Sequence, residues 1–182
     1  MGKGLSLPKE ARTLAFLIAY FVLLALLLLF FRIGQLSWII LAMSAIAWFI
    51  IEARRSRERA LSALKIGVFL LLFDFVFENL GWLGGLWQTY SPLAVGVVPL
   101  EVMCIALFGG AAWALYLPRK LSLRYSVIDS LVFGFFGALG ERLLIMQGLF
   151  AYHLWWNSEL AFLSYFLTWL LLHFVRYRIL PN

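Results

Sequence analysis

Four carboxylates and one arginine interrupt otherwise apolar stretches of this sequence. Asp74 and Glu78 share the stretch FDFVFENLGWLGGLW, Glu101 follows in the next apolar stretch, and Glu141 stands directly beside Arg142. An isolated charge inside a membrane costs about 2.5–3.5 kcal/mol, so that several carboxylates close together would not all be ionised. The residue types therefore indicate acid–base chemistry, in which at least one carboxylic acid keeps its proton in an apolar chamber.

The three glutamates are expected at nearly one depth. With a helical rise of about 1.5 Å per residue, Glu78 lies about 12 Å, Glu101 about 9 Å and Glu141 about 12 Å from the outer ends of their helices. Asp74 is one turn below Glu78 and close to the same face, because side chains four residues apart stack on a helix. We predict one shared carboxylate layer that faces the interior, with Arg142 organising its charge.

Polar and aromatic side chains near the outer helix ends are candidates for substrate binding. Tryptophan and tyrosine are typical of the headgroup interface, where an amphipathic ring has one wet and one dry side. Clustered in short uncharged loops with several glycines, such rings could also cap a cavity. The candidates are Asn79, Trp82, Trp87, Tyr90, Gln147, Tyr152 and Trp155.

Composition assigns the elements that carry these residues to a membrane. The 182 residues are 64% hydrophobic and 13% charged, with a mean hydropathy of +0.95, and a soluble domain of this size could not bury so much apolar surface. The net charge of +6 falls mainly between the apolar segments, which is typical of membrane orientation rather than nucleic-acid binding. The single Cys104 and two histidines twenty residues apart provide no disulfide and no compact metal motif.

Hydropathy predicts an all-α polytopic fold with six transmembrane helices in a single membrane domain, residues 1–182. The predicted spans are 12–32, 36–53, 62–86, 95–117, 125–149 and 158–178.

Positive charge alternates between the connections and predicts the orientation. Loops two and four and both termini carry Lys and Arg, whereas the remaining loops carry at most one. Both termini are therefore predicted to be cytoplasmic, in a multi-pass protein of the cell membrane. The residues counted are Lys3, Lys9, Arg12, Arg32, Arg54, Arg55, Arg57, Arg59, Lys65, Arg119, Lys120, Arg124, Arg176 and Arg178.

A short internal similarity relates the third and fifth spans. The third span ends ENLGWLGGLW and the fifth ends ERLLIMQGLF, so that Glu78 aligns with Glu141 and Gly85 with Gly148. Each segment is followed by an uncharged loop and another span. We interpret the similarity as a duplicated hairpin, spans three and four being related to spans five and six.

Two ionisable residues near the cytoplasmic side are interpreted differently. Asp129 lies near the start of the fifth span, close to basic residues, and ordinary ion pairing with them is expected. His173, near the inner end of the sixth span, is expected to be a packed or interfacial residue.

Several motifs resemble those of carotenoid-modifying membrane proteins. The pattern Phe77-Glu78-x-x-Gly81, followed by Gly96-Val97-Val98-Pro99-Leu100, is similar to bisanhydrobacterioruberin hydratases. The Pro99-Leu100-Glu101 triplet resembles the Pro-x-Glu motif of small-subunit-type lycopene cyclases. The stretches Gly148-Leu149-Phe150-x-Tyr152 and Ser164-Tyr165-Phe166-x-x-Trp169 resemble the aromatic second half of the hydratase pattern, and the resemblance covers about residues 70–175.

The resemblance implies cofactor-independent hydration, cyclisation or isomerisation of a carotenoid or another isoprenoid lipid. A neutral acid protonates a carbon–carbon double bond, and aromatic faces and a carboxylate stabilise the resulting cation. We expect Glu78 or Glu101 as the acid, Asp74 and Glu141 as partners, and Trp82 and Trp87 along the substrate path. The expected partners are a hydrophobic substrate and membrane lipids but no nucleic acid, and a homo-oligomer is compatible with the sequence.

Two other classes of protein fit the same pattern. Six helices in about 180 residues also match the small-molecule capture subunit of a transporter, which would bind a water-soluble ligand and release no product. A scaffold whose acids pair with a partner's helix would be unstable alone. An intramembrane protease is disfavoured, because no serine has a base at helical spacing and Asp74 and Asp129 are predicted at different depths.

Overall fold

The computed structural model describes residues 9–31, 33–118 and 120–180, most of which are helical. The charge count given above includes Lys3, Arg32 and Arg119, which lie outside the described residues. The helices are α1 (Lys9–Phe31), α2 (Leu36–Arg55), α3 (Arg57–Leu83), α4 (Leu100–Cys104), α5 (Gly110–Tyr116), α6 (Leu123–Ile145) and α7 (Ser158–Phe174). π-Helical turns at Ile105–Gly109 and Val175–Ile179 join α4 to α5 and extend α7.

Helices long and apolar enough to cross a membrane confirm the prediction of a helical membrane protein at that level. Among the described residues there are four, Glu10–Phe31, Leu36–Arg55, Arg57–Leu83 and Ser158–Ile179. The predicted fourth span corresponds to the shorter apolar helix Leu100–Tyr116. The predicted fifth span corresponds to α6, which is 23 residues long and carries several charges.

The outer ends of the predicted spans differ from the structure. The third span was predicted to end at residue 86, and α3 ends at Leu83. The fourth was predicted from residue 95, but residues 94–99 form a small hairpin whose turn contains Gly96 at a φ of +65°. The fifth was predicted to reach residue 149, and α6 ends at Ile145. Turns closed by backbone hydrogen bonds end α3 and α6, and the β2–β3 hairpin delays the start of α4.

Short strands, which an all-α prediction omitted, join the two uncharged loops. They are β1 (Trp87–Thr89), β2 (Ala94–Val95), β3 (Val98–Pro99) and β4 (Phe150–Tyr152). Strand β1 pairs antiparallel with β4, with Gln88 opposite Ala151. Tyr90 N–H donates to the Leu149 carbonyl at 2.9 Å, and His153 N–H donates to the Leu86 carbonyl at 2.7 Å.

Strands β1 and β4 pair with local two-fold symmetry. The internal similarity aligns Gln88 with Ala151, and these two residues face each other at the centre of the ladder. Before each strand a glycine adopts a left-handed conformation, Gly85 at a φ of +62° and Gly148 at +71°. A bond from residue i to i−5 closes both helix ends, as in a Schellman motif. The two sequence segments therefore build the same helix–turn–strand unit.

Small residues allow α3 and α5 to pack closely. A Cβ added to Gly67 would overlap the Leu107 carbonyl, and Gly110 lies against the Gly67 backbone. The small-residue run at 109–112 therefore acts as a packing face. Beside it Trp113, at 0% exposure, fills the centre of the main apolar core.

Candidate functional site

A cavity of about 280 Å³ lies between α1, α2, α3, the α4–α5 segment, α6 and α7, and residues of β1 and β4 close one end of it. Apolar and aromatic side chains form most of its wall. Three carboxylates line it, Asp74 and Glu78 from α3 and Glu141 from α6. The structure therefore brings together three of the four acids that the sequence singled out.

Glu78 is held by two donors from the strand that follows its own helix. Trp87 Nε1–H donates to Glu78 Oε2 at 3.1 Å, and Thr89 Oγ1–H donates to the same oxygen at 3.2 Å. Gly81 makes this geometry possible, because a Cβ there would overlap the Trp87 indole. Both donors stabilise the carboxylate form, since an ionised carboxylate only accepts hydrogen bonds.

Glu141 is held in an equivalent way on the other side of the cavity. The Tyr152 hydroxyl donates to Glu141 Oε2 at 2.7 Å, and the Tyr165 hydroxyl also faces this carboxylate. Burial raises the pKa of the Tyr152 phenol, and the Glu141 carboxylate raises it further. Tyr152 therefore remains a protonated donor at any physiological pH.

Asp74 differs from the two glutamates in having no donor. Its carboxyl group makes no hydrogen bond with any other residue of the described chain. It interacts electrostatically with both Glu78 and Glu141, and it lines the cavity one turn deeper than Glu78. Asp74 is therefore the one of the three acids that has no hydrogen-bond donor among the described residues.

Aromatic rings cover the end of the cavity next to β1 and β4. The Trp87 and Trp156 ring centroids are 4.4 Å apart, and Phe77 lies 5.0 Å from Trp87. On the opposite wall, the Tyr165 ring packs against Gly137, where a Cβ would come within 2.6 Å of the ring. The carboxylates thus lie among π faces that can stabilise a cation.

The structure places two of the predicted catalytic residues outside the cavity. Glu101 was expected in the shared layer, but it lies in the first turn of α4, where it accepts a hydrogen bond from Ser91 Oγ at 3.0 Å. The reason is that α4 begins only at Leu100, after the β2–β3 hairpin. Arg142 is exposed on α6 rather than turned inward to organise the carboxylates.

Most of the predicted substrate-binding residues have other roles. Gln147 joins the turn after α6 to the turn between α1 and α2, because its Oε1 accepts from Ser37 Oγ at 2.7 Å and from Gly34 N–H at 3.1 Å. Asn79 Nδ2 donates to the Phe75 carbonyl of its own helix at 2.7 Å. Of the remainder, Trp87 lines the cavity and Tyr152 holds Glu141, whereas Trp82, Tyr90 and Trp155 are exposed and lie outside the cavity.

A second polar cluster lies deep between α5, α6 and α7. Asp129 is 0% exposed, and its Oδ2 accepts from Trp113 Nε1–H at 2.9 Å. His173 Nε2 lies 2.9 Å from the same oxygen, and His173 Nδ1 lies 3.2 Å from Ser126 Oγ. The Nε2–H tautomer satisfies both contacts of the imidazole.

This cluster corrects the expectation that Asp129 pairs with a neighbouring basic residue. Ser126, His173 and Asp129 are linked in the order of a hydrolase triad. The triad residues come from two helices, so that helical spacing within one segment does not reveal them. Ser126 is only 3% exposed, and a stack of Phe133 on Trp169, with centroids 3.5 Å apart, separates the cluster from the carboxylates. The expectation that His173 is packed is confirmed, and the cluster is interpreted as a structural network.

Three residues of the site were not predicted from the sequence to be site residues. Thr89, Trp156 and Tyr165 line the cavity or bind its carboxylates. Tyr165 had a usable signal, because it falls on the face of α7 that also carries Trp169 and His173 at four-residue spacing. Thr89 had none, since its contact depends on the turn after α3.

Comparison of the chain with protein-family models, with curated proteins and with solved structures found no match.

Proposed function

We propose that this chain is a six-span membrane enzyme that carries out acid–base chemistry on an isoprenoid lipid, such as a carotenoid, without a cofactor. In this topology both termini are cytoplasmic, and the β1–β4 ladder lies at the outer surface. Leu100–Tyr116 and α6 supply the two additional spans. One helical hairpin consists of α3 and the α4–α5 segment, and the other consists of α6 and α7. In this topology the two hairpins are parallel repeats related by an axis along the membrane normal.

The observation that supports this function is the convergence of three carboxylates in one apolar, aromatic-walled cavity. Intramembrane acids that face a cavity rather than a partner helix mark a substrate or proton path. A ligand for this cavity is expected to be largely apolar, because apolar and aromatic surface forms most of its wall and polar groups are a minority there.

Hydrogen bonding distributes the roles among the acids. Glu78 and Glu141 each accept hydrogen bonds from fixed donors, which stabilise a negative charge on either glutamate relative to one on Asp74. Asp74 lies one turn from Glu78, and among the described residues no hydrogen-bond donor stabilises a negative charge on its carboxyl group. Asp74 is therefore proposed as the acid, in place of the Glu78 or Glu101 favoured by sequence alone.

The reaction begins with proton transfer from the Asp74 carboxyl group to one carbon of a double bond. The π electrons form the new C–H bond, and the neighbouring carbon becomes a cation beside the anionic Glu78 and the rings of Phe77 and Trp87. Attack by water followed by proton loss gives an alcohol, attack by a second double bond followed by proton loss from the cyclic cation gives a ring, and proton loss alone gives an isomer. In each case a proton returns to the Asp74 carboxylate.

The test is to purify the protein from membranes that contain isoprenoids and to analyse its bound lipids by mass spectrometry. We expect a specific isoprenoid, together with its hydrated, cyclised or isomerised product, in the wild type. Asp74→Asn should retain the substrate and lose the product, because the carboxamide fills the same volume but is no acid. Glu101→Gln is the matched control, since Glu101 lies outside the cavity, and it should leave both lipids unchanged.

The same experiment distinguishes a capture subunit, the second candidate. The aromatic cover formed by Trp87 and Trp156 favours this alternative, because such rings can also close over a bound ligand. A capture subunit would retain an unmodified ligand in both the wild type and Asp74→Asn. Absence of any isoprenoid, combined with tight binding of a water-soluble vitamin, would refute the enzyme.

A further inference from the structure

A second apolar groove of about 310 Å³ lies on the outer side of α1 and α6. It has no polar surface, and several of its side chains are strongly exposed, as is typical of a face that contacts lipid chains. It is lined by Val22, Ala25, Leu26 and Leu29 from α1 and by Phe135, Phe136, Leu139 and Leu143 from α6.

Only a thin wall separates this groove from the carboxylate cavity. Ala25 and Phe136 line both spaces. Phe136 stacks on Phe21 of α1, with centroids 5.2 Å apart and ring planes 23° apart. One small side chain and one aromatic pair therefore stand between the lipid-facing surface and the site.

The contacts across this wall are easily broken. Two hydrogen bonds tie the second half of α1 to its neighbours, one from Tyr20 near the middle of the helix to Ser44 and one to the Leu28 carbonyl from Gln147. Between these ties, the contacts of α1 with α6 among the described residues are apolar. A rotation of the Phe136 ring would therefore open the wall without breaking a hydrogen bond.

We propose that the apolar ligand enters the cavity sideways from the bilayer, between α1 and α6, and that the Phe136 ring is the gate. The identity of the ligand as an isoprenoid rests on the proposed function, but the route does not. The outer end is a poor alternative entrance, because the β1–β4 backbone bonds and the Trp87–Trp156 pair close it. Inside the wall, Gly140 leaves open space beside Glu141, since a Cβ there would meet no atom within 4 Å.

The route is tested with a single cysteine inside the cavity. Gly140→Cys in a Cys104→Ser background places a thiol in open space, and the purified protein is studied in phosphatidylcholine vesicles. The probes are N-phenylmaleimide, which partitions into the bilayer, and a trimethylammonium methanethiosulfonate, which remains in water. For each reagent, the labelling rate in vesicles is divided by its rate in SDS. We expect this ratio to be at least about tenfold higher for N-phenylmaleimide than for the methanethiosulfonate.

The gate itself is tested by changing the ring. Phe136→Ala and Phe136→Leu should raise the rate with N-phenylmaleimide by roughly five- to tenfold, since the aromatic pair with Phe21 is lost. Leu29→Ala is the matched control: Leu29 lines the groove but not the cavity, and this variant should label like the parent. Trp156→Ala, at the outer end, should also leave the rate unchanged.

Three results would overturn the proposed entry between α1 and α6. They are rates that do not depend on residue 136, acceleration by Trp156→Ala, and a thiol that labels in SDS but with neither reagent in vesicles. Labelling requires no isoprenoid, so the entry route can be confirmed even if lipid analysis finds no isoprenoid. Conversely, a bound isoprenoid combined with rates independent of residue 136 would leave the proposed function standing and remove the route.

Discussion

Replacing Asp129 should be among the most destabilising single changes in this chain. Its Oδ2 accepts bonds from Trp113 and His173 at 2.9 Å each, and the side chain is 0% exposed. Asp129→Ala would leave the indole N–H and the imidazole N–H without an acceptor in a place that water does not reach. The imidazole would keep only its contact with Ser126.

The magnitude follows from the number of donors left unpaired. A buried donor without a partner costs about 1–3 kcal/mol, so that two such donors lower the free energy of unfolding by about 2–6 kcal/mol. Asp129→Asn should cost about 1.5 kcal/mol or less, because its carbonyl oxygen can accept both bonds in the position of Oδ2. Its amide group can donate to the Tyr125 hydroxyl, which also faces residue 129.

The assay is equilibrium unfolding by SDS in mixed micelles, followed by the helical circular dichroism signal. The difference between the alanine and asparagine variants measures the two hydrogen bonds together with the lost side-chain volume, since both variants remove the carboxylate. Equal destabilisation by the two variants would show that charge, not donor satisfaction, holds Asp129. Loss of less than 1 kcal/mol in Asp129→Ala would refute the structural network itself.

Two further substitutions test the outer end of the fold. Gly81→Ala should lower the free energy of unfolding by about 1–3 kcal/mol, because the new methyl group overlaps the Trp87 indole; Gly140→Ala, into open space, is its control in the same SDS titration and should not destabilise. Gln147→Ala should cost about 1–3 kcal/mol, since the Ser37 hydroxyl, which is 0% exposed, loses its acceptor, whereas the Gly34 N–H is only partly buried; an unchanged unfolding midpoint would contradict this.

Hydropathy predicts the parts of this fold that depend on local sequence. The long apolar helices were found within a few residues at most ends, because membrane length and the helical rise fix the size of an apolar span. The facing of Asp74 and Glu78 was also predictable from their four-residue spacing. Glu141 could be added because the internal similarity aligned it with Glu78.

Contacts between distant segments could not be predicted in the same way. The error at Glu101 arose because depth was counted from residue 95, whereas the helix begins at Leu100, after a hairpin that a hydropathy profile does not show. The partners of Asp129 come from two other helices, and Gln147 finds its partners more than 100 residues away. Such pairings depend on the packing of helices and leave no periodic signal.

The internal similarity also explains how a symmetric framework could hold an asymmetric site. Glu78 and Glu141 occupy equivalent positions, and each accepts a bond from an equivalent strand position, Thr89 or Tyr152. The position equivalent to Asp74 is Gly137, where the Tyr165 ring takes the space of a side chain.

A second residue difference between equivalent positions distinguishes the two halves. The position equivalent to Phe77 is Gly140, so that an aromatic ring packs against Trp87 in one half while the other half leaves open space beside Glu141. In the proposed reaction, the proton donor and the cation-stabilising rings would belong to the half built on α3, and room for the ligand would belong to the half built on α6. A site with two identical halves would present two competing acids, and these two exchanges are what would direct a proton to one end of a ligand.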